Sequence, residues 1–238
     1  GRGVLIGTDE DVLYSDPPKI DAPSSAQSRA FTPVAADRFG HAVAVGFGPN
    51  GPVAADTHGT VAGVDGETPD AADWLTLGEA AGGRAIDGEL LAAADGVYRL
   101  TESGLTAVGL DDVRDVAAHG TPLASPAEGL FALANGWLSL RRGSFGCLAS
   151  DGHGHAHAVG PDGLLRCYTD RSVVDGEWVD AAVPVDSAVV DVAYGGGIVA
   201  AITDNGTLCV DAGDGWRHQL LGVRGVNELA VGSNPAAE

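Results

Sequence analysis

Apolar residues in this chain come in short runs that alternate with turn signals, a strand period and not a helical one. The clearest case is Ile202-Thr203-Asp204-Asn205-Gly206-Thr207-Leu208-Cys209-Val210. It reads as two strands joined by an Asn-Gly turn, which supplies the positive φ angles of a two-residue hairpin. The same device recurs at Asp162-Gly163, Glu128-Gly129 and Asp95-Gly96, with looser copies at His58-Gly59 and Glu10-Asp11. The tips at Asp11, Gly59, Gly96, Gly129, Gly163 and Gly206 are 33 to 48 residues apart. A mean near ~40 residues is the length of a four-stranded propeller blade.

Each unit carries an apolar strand before its tip and a second strand after it. Further on, a Trp opens another strand in four units, at Trp74, Trp137, Trp178 and Trp216, and Leu105 takes that place in the third unit. These large side chains are expected to cover the outer edge of each blade. Ahead of each hairpin lies an inner-strand candidate, at 41–46, 84–87, 115–120, 147–151, 191–195 and 228–232, dominated by Ala and Val as a crowded axis requires. The stretch 226–232 has no hairpin after it, and the hairpin at 3–15 has no inner strand before it. Pairing the two closes the ring and leaves no exposed edge. The fold class is therefore all-β, a β-propeller of short four-stranded blades in one domain over 1–238. Six blades are visible with closure between the termini. The alternative is seven blades with an N-terminal segment missing, a reading the absence of Met supports. The stretch Pro17 to Ser28 is expected to be a surface loop.

Charge changes the picture of the surroundings more than of the fold. There are 33 acidic residues against 13 basic ones, a net charge of −20, and the acids are scattered and not clustered. At molar salt the Debye length is about 3 Å, so such a surface is tolerated, and a salt-rich cytoplasm is the expected environment. The same balance argues against nucleic acid, which needs a basic stripe. No apolar run nears 18 residues and no signal peptide opens the chain, so a cytoplasmic protein without membrane contact is expected. Cys147, Cys167 and Cys209 have neither an even count nor a zinc spacing and are expected to be buried as small apolar residues.

The run Val113-Arg114-Asp115-Val116-Ala117-Ala118-His119-Gly120-Thr121-Pro122-Leu123, with Gly129-Leu130 and Asn135-Gly136-Trp137 after it, resembles a haloarchaeal β-propeller family. Asp95-Gly96-Val97-Tyr98, Asp191-Val192-Ala193-Tyr194-Gly195 and Asp214-Gly215-Trp216-Arg217 extend the resemblance over most of the chain. It implies a fold and a halophilic host and carries no activity. The turns also resemble the Asp-box hairpins of sialidase-like propellers, in part only, since Leu208 stands where the box has Trp.

Two constellations bear on chemistry. In Gly152-His153-Gly154-His155-Ala156-His157, period two puts His153, His155 and His157 on one strand face, where three imidazoles suit a divalent cation such as Zn²⁺ or Ni²⁺. Against this, His157 aligns with Leu5, Val53, Leu90, Leu123 and Ala200, an apolar column, which argues for packed histidines. The second constellation comes from aligning the units. The opening position of the inner strand carries His41, Arg84, Asp115, Cys147, Asp191 and Glu228, a polar ring expected at one mouth of the central channel. It suits a ligand or a divalent cation held through waters. The plainer reading is a solvated rim in which Arg84 pairs with Asp115. No Gly-x-Ser-x-Gly elbow, P-loop or dinucleotide turn is present. The functional expectation is a non-catalytic scaffold or ligand-binding propeller of a halophilic archaeon, with a protein partner or small ligand. The alternative is a metal-dependent hydrolase or lactonase-like propeller with its site in the channel.

Overall fold

The computed structural model describes residues 4–8, 11–15, 31–35, 39, 42–65, 74–160, 163–169, 173–174, 176–195, 197–223 and 225–231. The stretch Pro17 to Ser28 and His41 lie outside the described residues. Among the described residues twenty-four strands form six four-stranded antiparallel sheets, and no helix occurs. Blade 1 contains β1 (Val4–Thr8), β2 (Val12–Ser15) and β3 (Thr32–Pro33). Blade 2 runs through β4 (Ala42–Gly48), β5 (Gly51–Asp56), β6 (Thr60–Gly63) and β7 (Leu75–Glu79). Blade 3 is β8 (Gly83–Asp87), β9 (Leu90–Ala93), β10 (Gly96–Thr101) and β11 (Gly104–Gly109). Blade 4 is β12 (Val113–Ala117), β13 (Leu123–Pro126), β14 (Gly129–Leu133) and β15 (Trp137–Arg142). Blade 5 is β16 (Leu148–Ser150), β17 (His155–Gly160), β18 (Gly163–Tyr168) and β19 (Trp178–Asp180). Blade 6 is β20 (Val189–Gly195), β21 (Ile198–Thr203), β22 (Thr207–Asp211) and β23 (Trp216–Leu220).

The last strand, β24 (Val226–Val231), completes blade 1 as its innermost strand, pairing with β1 in the register Val4↔Val231, Leu5↔Ala230 and Ile6↔Leu229. Closure thus joins the two ends of the chain as the repeat pattern requires, and the ring has six blades and not seven. The energetic reason lies in the packing. Six hydrophobic clusters fill the structure, one at each blade–blade interface. The second strand of a blade feeds two of them, because alternate side chains face opposite neighbours. In β5, Ala54 packs toward blade 1, while Val53 and Ala55 pack toward blade 3. The seam between blades 6 and 1 is filled by Ile202 and Leu208 against Val4, Ile6, Leu229 and Val231.

The hairpin tips differ from expectation in one respect. The turn at 203–206 is closed by the Gly206 N–H on the Thr203 carbonyl at 2.9 Å, and Gly206, not Asn205, carries the positive φ of 79°. This is a four-residue turn whose last residue is a left-handed glycine, not a two-residue turn with two positive φ values. Side chains lock it. Thr207 N–H donates to Thr203 Oγ1 at 3.0 Å and to Asn205 Oδ1 at 3.1 Å. Trp137, Trp178 and Trp216 open the outermost strands of their blades, as expected, and Trp74 immediately precedes β7. Trp74 is buried and donates its indole N–H to the Val34 carbonyl at 3.1 Å. All three cysteines are free and buried.

Candidate functional site

All inner strands run in the same sense along the axis. The residues that open them therefore collect at one end of the channel, and the hairpin loops that follow collect at the other. A cavity of about 1200 Å³ occupies the channel, walled by the inner strands.

The opening positions do not form a solvated rim. Asp115 and Asp191 are buried, with 5% and 6% exposure. Each uses one carboxyl oxygen on its own strand and the other on the next blade. Asp191 Oδ1 accepts the Val192 N–H at 2.8 Å, and its Oδ2 accepts the N–H of Leu229, on β24, at 2.6 Å. Asp115 repeats this with Val116 at 2.7 Å and with Leu148 of blade 5. Cys147, between them in the ring, is buried and packs with Val192 of blade 6. Arg84 reaches blade 4, with Nη1 on Asp112 Oδ1 at 2.7 Å and on the Val113 carbonyl at 3.2 Å. Its carboxylate partner is therefore Asp112 and not Asp115. In the units of Arg84, Asp115 and Asp191 the position is polar because the side chain hydrogen-bonds to the following blade. Glu228 lies in β24 with its backbone paired to Gly7.

Burial dominates the electrostatics of this end. It raises the Asp191 carboxyl to about 7, against the pull of the Leu229 and Val192 N–H groups. It pushes Asp115 well above the usual carboxylate range, with the charge of Asp191 adding to the effect. It also pushes the Cys147 thiol well up, helped by both aspartates.

The opposite end of the channel holds the histidines and two tyrosines. His153 lies in the loop before β17, with its Nδ1 2.9 Å from the Asp151 carbonyl. His155 Nδ1 is 2.6 Å from Asp151 Oδ2, and the His155 ring packs edge-on against Tyr168 at 4.6 Å. Asp151 Oδ1 accepts the N–H groups of His153 and His155, which outweigh burial and hold its carboxyl below the usual range. His157 is 1% exposed, its Nδ1 is 2.7 Å from the Tyr194 hydroxyl, and its buried Nε2 has no partner among the described residues. Burial first, then Arg166, lowers its pKa to about 4, so the imidazole is neutral. Burial, with Tyr168 next to it, raises the Tyr194 phenol. The three imidazoles thus meet three different atoms, the Asp151 carbonyl, the Asp151 carboxylate and the Tyr194 hydroxyl. Among the described residues no three His, Cys, Asp or Glu side chains converge as metal ligands would. His157 fills the apolar column with Leu5, Val53, Leu90, Leu123 and Ala200, all buried.

Sequence reasoning missed Tyr168, Tyr194 and Asp211 of this mouth, and Asp87 and His119 beside it, all of which line the cavity. Tyr194 was legible as an aromatic residue among the Ala- and Val-rich inner strands. Asp87 Oδ2 accepts the Ala118 N–H of blade 4 at 2.6 Å, and His119 Nε2 lies 3.6 Å from Asp87 Oδ1.

A closed ring of six four-stranded blades around an open channel defines a β-propeller. The chain belongs to the HVO_0234-like β-propeller family, whose model matches residues 1–232. No curated protein matches it in sequence. Solved structures share the fold at low identity. A chain of a nidogen/laminin complex superposes with a TM-score of 0.71 at 8% identity, covering 97% of this chain and 98% of the other. The WD40 propeller domain of Doa1 gives 0.64 at 13% identity, over 95% and 81% of the two chains. YCF48 bound to a D1 peptide gives 0.53 at 16%, over 93% and 78%. Among the described residues no helix is long and apolar enough to cross a membrane.

Proposed function

We propose that this protein is a non-catalytic binding propeller that holds a partner protein at the hairpin-loop mouth of its channel. One observation carries the reading. The cavity of about 1200 Å³ is open, and polar and aromatic side chains, Asp151, His155, Tyr168, Tyr194 and Asp211, gather at that mouth. Two of the structural neighbours are complexes with a protein or a peptide, which fits it, although at this identity the likeness itself concerns fold alone. The metal-dependent hydrolase reading is not favoured. The buried aspartates have each committed both carboxyl oxygens to backbone N–H groups, leaving a cation poorly served. The same reading places the protein in the cytoplasm of a salt-adapted host, on the strength of its acid excess and three free thiols.

The test is affinity capture from host extract at high salt, comparing the natural chain with a Tyr168→Ala, His155→Ala double variant. A partner held by the first and lost from the second supports the reading. A partner held equally by both, or hydrolysis of an ester or lactone panel on adding divalent metal, overturns it.

A further inference from the structure

The wall of the mouth at blades 5 and 6 indicates what chemistry it accepts. Tyr168 is 49% exposed, and its ring already takes a guanidinium: Arg166, which lies outside the cavity, sets its Cζ 5.0 Å from the ring centroid. The ring packs edge-on against His155 at 4.6 Å and against buried His157 at 5.9 Å. Across the mouth, Asp211 accepts the Gly213 and Gly215 N–H groups on Oδ1, at 2.7 and 3.1 Å, and its Oδ2 has no partner among the described residues. No Lys or Arg lines the cavity among the described residues, whereas Glu89, Asp151 and Asp211 line it toward this mouth. A low-dielectric channel lined by one sign of charge focuses its field on the opposite sign. The volume exceeds the ~300–1000 Å³ of ordinary small-molecule pockets, which suits a length of chain and not a lone ion.

We infer that this corner is an arginine-binding site for an extended basic segment of a partner protein, with the guanidinium between the Tyr168 ring and the free oxygen of Asp211. The inference rests on the binding reading above and names its ligand class. Arginine fits better than lysine because a planar guanidinium stacks on a ring and meets a carboxylate edge-on at once. Arg166 acts as an internal competitor for the ring.

The test uses the full chain and fluorescent hexapeptides that carry two arginines, or the same peptide with lysine or citrulline, titrated by anisotropy from low salt to 1 M KCl. At 1 M the Debye length is about 3 Å, so general attraction to the acidic surface is removed. The expected result is binding of the arginine peptide that persists at 1 M, and none of the citrulline peptide. Asp211→Asn and Tyr168→Leu should each weaken binding by about ten-fold, and Arg166→Gln should strengthen it a few-fold. Glu128→Gln, at the opposite end of the ring, should change nothing. Equal binding of arginine and citrulline peptides, or an equal loss with Glu128→Gln, overturns the inference. A captured partner lost from the Tyr168→Ala, His155→Ala variant while no arginine peptide binds also overturns it, and leaves the binding face standing. Asp211→Asn keeps the fold-locking Oδ1 acceptor, so its result does not depend on the tyrosine variant folding.

Discussion

Asp191 on β20 accepts the N–H of Leu229 on β24 at 2.6 Å, so a buried carboxyl from blade 6 ties down the strand that closes the ring. Asp191→Ala leaves the Leu229 and Val192 N–H groups without their acceptor. Each buried unsatisfied donor costs roughly 1–3 kcal/mol, so a loss of about 2–4 kcal/mol is expected in urea unfolding. Asp214→Ala, which removes only an exposed pairing with Arg217, should cost at most about 1 kcal/mol. Equal losses would show that Asp191 does not hold the seam.

Asp191 and His157 should impose opposite pH dependences on stability. Asp191 is raised from 3.8 to about 7 in the folded state. Its contribution is therefore fully present below pH 3.8 and lost as pH rises through 7. His157 falls from 6.5 to about 4, so the folded state resists a proton that the unfolded chain accepts. Its contribution is present above pH 6.5 and lost as pH falls toward 4. Relative to the natural chain, Asp191→Asn should gain stability between pH 4.5 and 7, and His157→Leu should lose it over the same interval. Urea midpoints at the two pH values decide this. Parallel profiles for all three proteins would contradict it.

These two residues also mark how far the sequence was legible. The column that holds His157 was visible because six tips supplied a ruler, and five apolar residues at its place showed that it is buried. Blade number, inner strands and closure came from the same ruler. Asp191 was found by it too, but its partner was not. The Leu229 N–H belongs to another blade, and no periodicity in one strand shows what the neighbouring strand leaves unpaired. A polar residue at a strand opening therefore reads as a solvated rim, although here it is an inter-blade acceptor. The residues of the opposite mouth escaped for the same reason. Tyr168 comes from the third strand of blade 5 and Tyr194 from the first of blade 6, and only the packing of the two blades brings them together.

The thiols give a direct check on core packing. Cys147, Cys167 and Cys209 are 5%, 0% and 0% exposed, and burial raises each above its ordinary value. Neither access nor thiolate is available for alkylation. Iodoacetamide at pH 8 should leave the native protein unmodified and add three groups in urea, read by intact mass. A single native adduct on Cys147 would mean that the channel wall opens between Asp115 and Asp191.

The last expected effect concerns the seam between blades 6 and 1 from its other end. Gly195 closes β20, and a Cβ there would meet the Val231 carbonyl oxygen and would lie 2.6 Å from Val231 Cγ1, both on β24. Backbone cannot yield as a flexible side chain can, so Gly195→Ala must push the closing strand away from its neighbour. Overpacking of this kind costs roughly 1–3 kcal/mol. Gly160→Ala is the matched control. It also lies in a strand of the ring, but its nearest atom, Leu165 Cδ1, is at an ordinary 3.7 Å, so its effect should stay within about 0.5 kcal/mol. Because the damage falls on the contact that joins the ends of the chain, Gly195→Ala should also speed amide exchange in β24 and β1 ahead of β12 and β13. Uniform acceleration across all blades would mean that the ring opens as one unit and has no preferred seam.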